Sequence, residues 1–358
     1  MSSNRRNPTI LFLYSEYVSY LDGTLRSLVS DYQASVFVVS WDENLLKPLT
    51  RPSIDNVTFL NRSNFSSQML TEFIEDSRPH IVYISGWMDS GYMRSVNQAK
   101  NRHEFTTVIG LDDTWHGSFR QRIGLPYFKR RLRKTFDKAW VAGSRQYQFA
   151  RSLGYQDSEI AFNLLSCDTL LFGSGGRRAG SDRSSELRFL YVGNFRYVKG
   201  TDLLAEAYAH YKVNLHGRGE LTCIGQGELE HCLRDCEGID VRPFATSTDL
   251  IQMSNKFDIF IFPSRADQWG VALHEFALRG FPIIASTGAG ATERFLIDGF
   301  NGLRFWTGNS RDLALKMKKC ESISAETLDL WSQRSRDLGR SITSRMAAAS
   351  LMSLGNWR

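Results

Sequence analysis

The chain has few cysteines and no long apolar run, and these two shortages exclude several classes of protein. Only five of the 358 residues are cysteines, an odd number that favours reduced thiols in a cytosolic protein over a disulfide framework. No segment approaches the roughly eighteen consecutive apolar residues that a membrane-spanning helix needs. We therefore expect a soluble, cytoplasmic protein.

Metal ligands in a familiar spacing are also missing. His231, Cys232 and Cys236 are close in sequence, but they fall on one predicted helix with no second pair elsewhere, which is a poor zinc pattern. The sequence has no Asp-x-Asp motif in a suitable loop. We predict that the protein has no metal site.

The charge shows little excess of either sign. The formal net charge is +6, and residues 1–180 hold 22 basic and 17 acidic side chains against 22 and 21 in residues 181–358. So modest an excess does not indicate nucleic-acid binding, and we predict no nucleic-acid partner.

The start of the chain has some features of a signal peptide. Arg5 and Arg6 precede an apolar run that is too short for that role and ends at Ser15 and Glu16, where a signal peptide has small residues. A buried first β-strand explains the run better.

Short apolar runs alternate with amphipathic stretches of helical length, which is typical of parallel sheets covered by helices. The predicted strands are 9–14, 34–40, 80–85, 106–111, 138–143, 187–193, 220–225, 238–244, 257–263 and 281–286. Helices are predicted at 66–78 and 201–211, and the polar segment 173–186 is the best linker. We predict two Rossmann-like domains, 1–178 and 179–340, whose parallel sheets face a central cleft, and a helical segment 341–358 that packs on the first domain.

The segment 257–305 holds the residues best suited to chemistry. A buried strand ends at Pro263, a loop follows with Asp267, and Gly270 opens a helix that carries Glu275. Free N–H groups at a helix start suit an anionic diphosphate, and carboxylates accept hydrogen bonds from sugar hydroxyls. A second flexible loop, 287–291, is expected near the same strand ends and is followed by Glu293.

This segment resembles the donor-site signature of the retaining glycosyltransferase family 4, whose members have the GT-B fold. The signature consists of two glutamates separated by seven residues, a Phe-Gly or Trp-Gly pair just after the first, and then Gly and Pro. Here it reads Asp267-Gln268-Trp269-Gly270, Glu275, Gly280 and Pro282. The first acid is Asp where the family has Glu, so the carboxylate is one methylene shorter.

The resemblance extends to the first strand of the C-terminal domain. Residues 189–204 keep the family's Lys-Gly pair as Lys199-Gly200, while Asn194 stands at the family's Arg position and Arg196 follows two residues later. Segment 221–230 is similar to the family's strand and Gly-x-Gly near the nucleotide. The resemblance implies a set of donor-binding residues: Gly193, Asn194, Arg196, Lys199, Gly225, Phe244, Gly270, Val271 and Glu275.

The same resemblance implies distinct roles within that set. Glu275 would hold the ribose hydroxyls, Asp267 the transferred sugar, and Lys199 the diphosphate. In the N-terminal half, the segment 110–122 follows a strand end, and Asp112, Asp113 and His116 are candidates for binding the acceptor or relaying its proton. Each of the three is equally well explained as a turn residue or helix cap. The predicted catalytic residues are Asp267, Lys199, His116 and Asp112.

Residues 118–136 hold seven basic side chains and no acidic one, interleaved with apolar residues. A basic amphipathic helix of this kind can lie on an anionic membrane surface, which would make the protein peripheral on the inner face of the membrane. The alternative, which the sequence slightly favours, is a solvated charged face over a domain core.

Taken together, the resemblance implies transfer of a sugar from a nucleoside-diphosphate sugar, with UDP or GDP as the nucleotide, to a hydroxyl with retention of configuration. The acceptor would be a sugar or lipid-linked saccharide in polysaccharide or glycolipid synthesis, and the reaction would be metal-independent with no further cofactor. Two alternatives remain. A nucleotide-sugar epimerase of the same architecture would bind the same donor, and a binding-only protein would fit the changes at Asp267 and Asn194.

Overall fold

A computed structural model describes residues 7–43, 51–174 and 186–357 of the chain. These residues form two compact α/β units. The first consists of the described residues up to Asp168 together with those from Ile342 onward, and the second consists of Thr169–Ser341. The predicted boundary at 178/179 and most of the predicted linker lie in 175–185, outside the described residues.

The first unit contains a seven-stranded sheet in the order β3-β2-β1-β4-β5-β6-β7, with every neighbouring pair parallel. Its strands are β1 Thr9–Tyr14, β2 Ser35–Ser40, β3 Val57–Asn61, β4 Ile81–Ile84, β5 Thr106–Leu111, β6 Lys138–Val141 and β7 Ile160–Ala161. Its α-helices are α1 Asp22–Tyr32, α2 Ser67–Ser77, α3 Ser90–Lys100, α4 Phe119–Tyr127, α5 Ser144–Ser152 and, at the chain end, α14 Ser344–Ser353.

The second unit contains a six-stranded parallel sheet in the order β10-β9-β8-β11-β12-β13. Its strands are β8 Arg188–Val192, β9 Glu220–Ile224, β10 Ile239–Arg242, β11 Ile259–Phe262, β12 Ile283–Ser286 and β13 Gly302–Phe305. Its α-helices are α6 Thr169–Gly173, α7 Thr201–Val213, α8 Glu230–Arg234, α9 Ser247–Met253, α10 Val271–Leu278, α11 Thr292–Phe295, α12 Ser310–Cys320 and α13 Ala325–Gly339.

The central strands are continuous apolar runs because helices cover both faces of each sheet. Phe12, Val82 and Ile109 in the first sheet and Phe260 and Ile283 in the second are completely buried. In the second sheet the strand order reverses between β8 and β11. Ligands of such sheets bind at the carboxyl ends of the strands, at a reversal of this kind.

None of the described helices has both the length and the apolar character needed to cross a bilayer. All five cysteines are free, and the described residues hold no cluster of three or more His, Cys, Asp or Glu side chains suited to a metal ion. His231 and Cys232 lie on α8, as predicted, whereas Cys236 lies beyond its end.

Candidate functional site

The loops that follow β8 and β11 meet through a glycine. Gly200 has a φ of +73°, and a Cβ there would lie 2.2 Å from the carbonyl oxygen of Pro263. Any other residue would therefore be both strained and in collision. The backbone N–H of Arg265 also donates to the carbonyl of Val198 over 2.9 Å. We call the two loops, residues 193–200 and 263–270, the β8/β11 site.

This close approach brings Lys199 and Asp267 together. The ammonium nitrogen of Lys199 lies 2.5 Å from Oδ2 of Asp267, and the two side chains are 31% and 10% exposed. The sequence predicts a phosphate contact for Lys199 and a sugar contact for Asp267, so a diphosphate and a sugar hydroxyl would meet at one point. In such a pair the cation can bind an anion while the carboxylate accepts a hydrogen bond from a hydroxyl group.

A second ion pair, which the sequence did not indicate, lies beside the turn 197–199. The guanidinium of Arg265 donates to both carboxylate oxygens of Asp202 over 2.6 and 2.8 Å and lies 3.9 Å from the ring centroid of Tyr197. The hydrogen bonds from Arg265 to Asp202 raise the pKa of the guanidinium. Arg265 therefore holds the 197–199 turn in place.

Arg196 is a further cation at the β8/β11 site. Its side chain is half-buried and has no ion-pair partner among the described residues. Its backbone carbonyl accepts the N–H of Lys199 over 3.0 Å, so the two cations are joined by one turn of chain. The resemblance places Arg196 among the donor-binding residues, two positions after Asn194, and its guanidinium is not neutralised by a carboxylate in the described part of the chain.

Gly193, Asn194 and Gly225, three of the residues predicted to bind the donor, lie close together. Gly225 has a φ of +153°, and a Cβ there would lie 1.9 Å from the carbonyl oxygen of Gly193. The buried phenol of Tyr191 donates to the carbonyl of Asn194 over 3.1 Å, and burial raises its pKa. The 193–196 loop is thereby fixed above the end of β8.

The start of α10 supplies N–H groups to the same crevice. Gly270 precedes the helix with a φ of +97°, and no side chain caps it. The N–H of Leu273 donates to the carbonyl of Gly270 over 3.0 Å, whereas that of Val271 has no partner within the helix. Glu275 lies in the second turn and is half-buried. A helix start of this kind attracts anions.

The predicted second loop, 287–291, is hydrogen-bonded to the first. Gly290 and Ala291 donate their N–H groups to the carbonyls of Asp267 and Trp269 over 3.0 and 2.7 Å. A Cβ at Gly288 or Gly290 would lie 2.3 Å from a carbonyl oxygen of the β11 loop, so both glycines allow the loops to touch. The loop fixes the backbone on which Asp267 is carried, while Glu293 beyond it is exposed.

Three buried polar atoms next to these loops have no hydrogen-bond partner: Ser264 Oγ, Trp269 Nε1 and Thr292 Oγ1. Such atoms are uncommon in folded proteins because each costs desolvation free energy. Phe244 lies two residues beyond β10 and is 49% exposed. Nearly all the residues predicted to bind the donor thus lie at the carboxyl ends of the strands of the second sheet.

The acceptor candidates lie in the first unit. Asp112 directly follows β5, and its carbonyl accepts a hydrogen bond from Gln146 over 2.9 Å. Its charge contributes, after burial, to a raised pKa of Tyr14 and Tyr83, so it lies near the carboxyl ends of β1 and β4. His116 Nε2 is 2.8 Å from Thr114 Oγ1 and 4.0 Å from Oδ1 of Asp113. All three candidates are exposed.

Among known protein families, one matches the second unit. Residues 177–337, nearly all of that unit, match the family model of the glycosyl transferases group 1. This supports the resemblance read from the donor signature. No curated protein sequence matches the chain.

Solved structures are similar over almost the whole chain. A glycosyltransferase from Rickettsia africae ESF-5 has 14% identity and a TM-score of 0.74, with 96% of each chain covered. A sucrose-phosphate synthase from Thermosynechococcus elongatus has 14% identity and a TM-score of 0.74, over 97% of this chain and 98% of that one. HepE of Anabaena, in complex with UDP and glucose, has 13% identity and a TM-score of 0.72, over 96% and 98%. The predicted GT-B fold of two Rossmann-like units is confirmed.

Proposed function

We propose that the protein is a glycosyltransferase that moves a sugar from a nucleoside-diphosphate sugar to a hydroxyl acceptor, with retention of configuration. The observation that carries this is the Lys199–Asp267 pair in the crevice of the second sheet. The match of residues 177–337 to a glycosyltransferase family supports it.

In the proposed reaction the bond between the anomeric carbon and the diphosphate oxygen breaks, and negative charge grows on the leaving group. The acceptor's hydroxyl oxygen forms the new bond to that carbon, and its proton passes to the departing diphosphate. Lys199, Arg196 and the N–H groups at the start of α10 stabilise that charge. Asp267 accepts a hydrogen bond from the sugar and orients its ring. Glu275 holds the ribose hydroxyls. The ion pair holds Lys199 and Asp267 in place before the donor arrives, so little reorganisation of these two groups is needed during the reaction.

UDP is the nucleotide we propose, with GDP as the other candidate. HepE, which shares the fold, is described in complex with UDP and glucose, and this supports UDP by analogy. Phe244 offers an exposed ring for the base at the β10 end of the sheet. The acceptor we propose is a sugar or lipid-linked saccharide, bound near Asp112 and His116.

The test is calorimetric titration with UDP, GDP, ADP and dTDP, followed by an assay for free sugar released from the matching donors. We expect one nucleotide to bind and its donor to be hydrolysed slowly. Lys199→Ala and Glu275→Ala should each weaken donor binding about tenfold or more, because each removes a charged hydrogen-bonding group. Lys256→Ala and Glu237→Ala are matched controls, since both residues are exposed in the same unit.

Unchanged affinity in both site variants would refute the proposed donor site. Binding without release of sugar, even in the presence of saccharide acceptors, would favour a binding-only protein. Conversion of the donor to another nucleotide sugar without an acceptor would favour an epimerase.

A further inference from the structure

The basic segment 118–136 divides into a buried part and an exposed part. Phe128 and Phe136 are 1% and 0% exposed and belong to the core of the first unit. Phe119, Ile123 and Tyr127, in contrast, are 79%, 56% and 57% exposed. Of the apolar residues of α4, Leu125 packs against that core, whereas these three side chains lie in solvent.

The three exposed residues form one stripe. They are spaced four residues apart, so at about 100° per residue they span an arc of about 80° on α4. By the same count Arg120 and Arg122 flank this stripe on its two sides. The arrangement is that of an amphipathic helix whose apolar face points into solvent.

The cations of the segment are not neutralised. Six of its seven basic side chains are exposed and form no ion pair among the described residues: Arg120, Arg122, Lys129, Arg130, Arg131 and Lys134. The seventh, Arg133, pairs with Glu159 over 2.7 Å. A cluster of free cations surrounding exposed apolar side chains attracts an anionic partner that also has an apolar interior.

A neighbouring loop extends the same surface. Trp87 packs against Phe128 with their ring centroids 5.1 Å apart, and the next residue, Met88, is 76% exposed. Met88 is thus an exposed apolar side chain next to Trp87, whose ring contacts the residue that directly follows α4. We call Met88, the stripe and the six cations the α4 surface.

We propose that the α4 surface docks the protein peripherally on an anionic lipid bilayer, with Phe119, Ile123 and Tyr127 inserted among the lipids. A nucleic acid would neutralise the cations but leave the apolar stripe in water, whereas a bilayer interface satisfies both. Binding to a bilayer does not depend on the proposed function. Its consequence for the acceptor does, because a glycosyltransferase docked on a bilayer through its first unit would act on a lipid-linked acceptor.

The test is co-sedimentation of the full chain with vesicles of phosphatidylglycerol and phosphatidylcholine in equal parts, and with phosphatidylcholine alone. We expect binding to the anionic vesicles that weakens as salt is raised. Phe119→Ser with Ile123→Ser should lower the partition coefficient about tenfold or more. Arg130→Glu with Arg131→Glu should lower it by about fivefold for each basic side chain removed.

Helix α12 provides matched controls, with Leu315, Arg311 and Lys319 exposed. Leu315→Ser, and Arg311→Glu with Lys319→Glu, make the same kinds of change and should leave vesicle binding unaltered. Circular dichroism and nucleotide titration of each variant report whether folding and the donor site are intact. Failure of the wild type to bind nucleotide would refute the proposed function, but it would not alter the conclusion from vesicle binding.

No binding to anionic vesicles, equal binding to neutral ones, or equal loss in the controls would overturn the proposal. Loss on charge reversal with full retention in the serine variant would also overturn it, because that pattern belongs to a surface for any polyanion.

Discussion

Asp267 is the residue at which the sequence departs most clearly from the family that it resembles. The shorter carboxylate contacts the ammonium of Lys199 at 2.5 Å, and Asp267 is 10% exposed. At the proposed donor site, a diphosphate would therefore share Lys199 with Asp267. The same pair would favour catalysis through the sugar contact and weaken binding through competition for the cation.

Replacing Asp267 by Asn separates these two effects. The amide keeps the shape and can still hydrogen-bond a sugar hydroxyl, but it no longer neutralises Lys199. We expect the affinity for the nucleoside diphosphate to rise severalfold and the turnover of the donor to fall about tenfold or more. Calorimetry and release of free sugar measure the two quantities.

The exposed carboxylate of Asp235 provides the control, since Asp235→Asn should change neither quantity. Equal losses of affinity and turnover in Asp267→Asn would contradict the competition between Asp267 and the diphosphate.

The sequence analysis assigned roles to Lys199 and Asp267 but did not predict their contact. Lys199 and Asp267 are 68 positions apart, and each could be assigned to the end of a predicted strand. Their contact depends on β8 lying next to β11, and strand order is decided by tertiary packing, which apolar periodicity does not report. The ion pair of Arg265 with Asp202 was missed for the same reason.

At the scale of elements, one glutamate joins the end of α12 to the turn after α7. Glu321 accepts hydrogen bonds from the phenol of Tyr211, from the N–H of Arg218 over 2.6 Å and from Lys318 over 2.8 Å. Burial would raise the pKa of Glu321, but hydrogen bonds from Lys318, Tyr211 and the backbone lower it from 4.5 to about 2.

This lowered pKa predicts a pH-dependent stability. Because the folded state holds the proton less tightly than the unfolded state, the stabilisation is complete above about pH 4.5 and is lost as the pH falls towards 2. Glu321→Gln should lower the free energy of unfolding near pH 7 by about 2 kcal/mol, the usual value for hydrogen bonds to a charged group. The difference from the wild type should shrink across that acid range.

Denaturant melts of both proteins between pH 2 and pH 7 measure this difference. A difference that stays constant with pH would mean that the ionisation of Glu321 is not involved.

Central strands were predicted well and edge strands poorly. Predicted strand 9–14 coincides with β1, and 106–111 with β5, because both are buried runs. The edge strand β3 was missed, since its residues are half-exposed and less apolar, and β7 is only two residues long. Short edge strands form by pairing with a neighbour and leave little local signal.

At the scale of the whole molecule, the first unit is discontinuous in sequence. The chain leaves it at Asp168 and returns at Ile342. The returning helix α14 packs against α1, where a Cβ at Gly23 would lie 2.3 Å from Oγ of Ser344. Ala347, Ala348 and Leu351 are completely buried there.

Removal of residues 342–358 should therefore destabilise the first unit selectively. The truncation exposes the apolar face of α1, and a loss of several kcal/mol is expected from the buried side chains removed. Limited proteolysis and thermal melts should report early unfolding of the first unit, while nucleotide affinity persists in the second. A truncated protein with unchanged proteolysis would refute this dependence.

The discontinuity also has a consequence for biosynthesis. Between Asp168 and Ile342 the ribosome adds the 173 residues Thr169–Ser341, which takes about 10 to 35 seconds at typical rates of synthesis. During that time the nascent first unit has an uncovered apolar face on α1, which α14 covers in the folded protein. Early termination of translation would release a chain with this face exposed, which is a substrate for chaperones and proteases rather than a shorter enzyme.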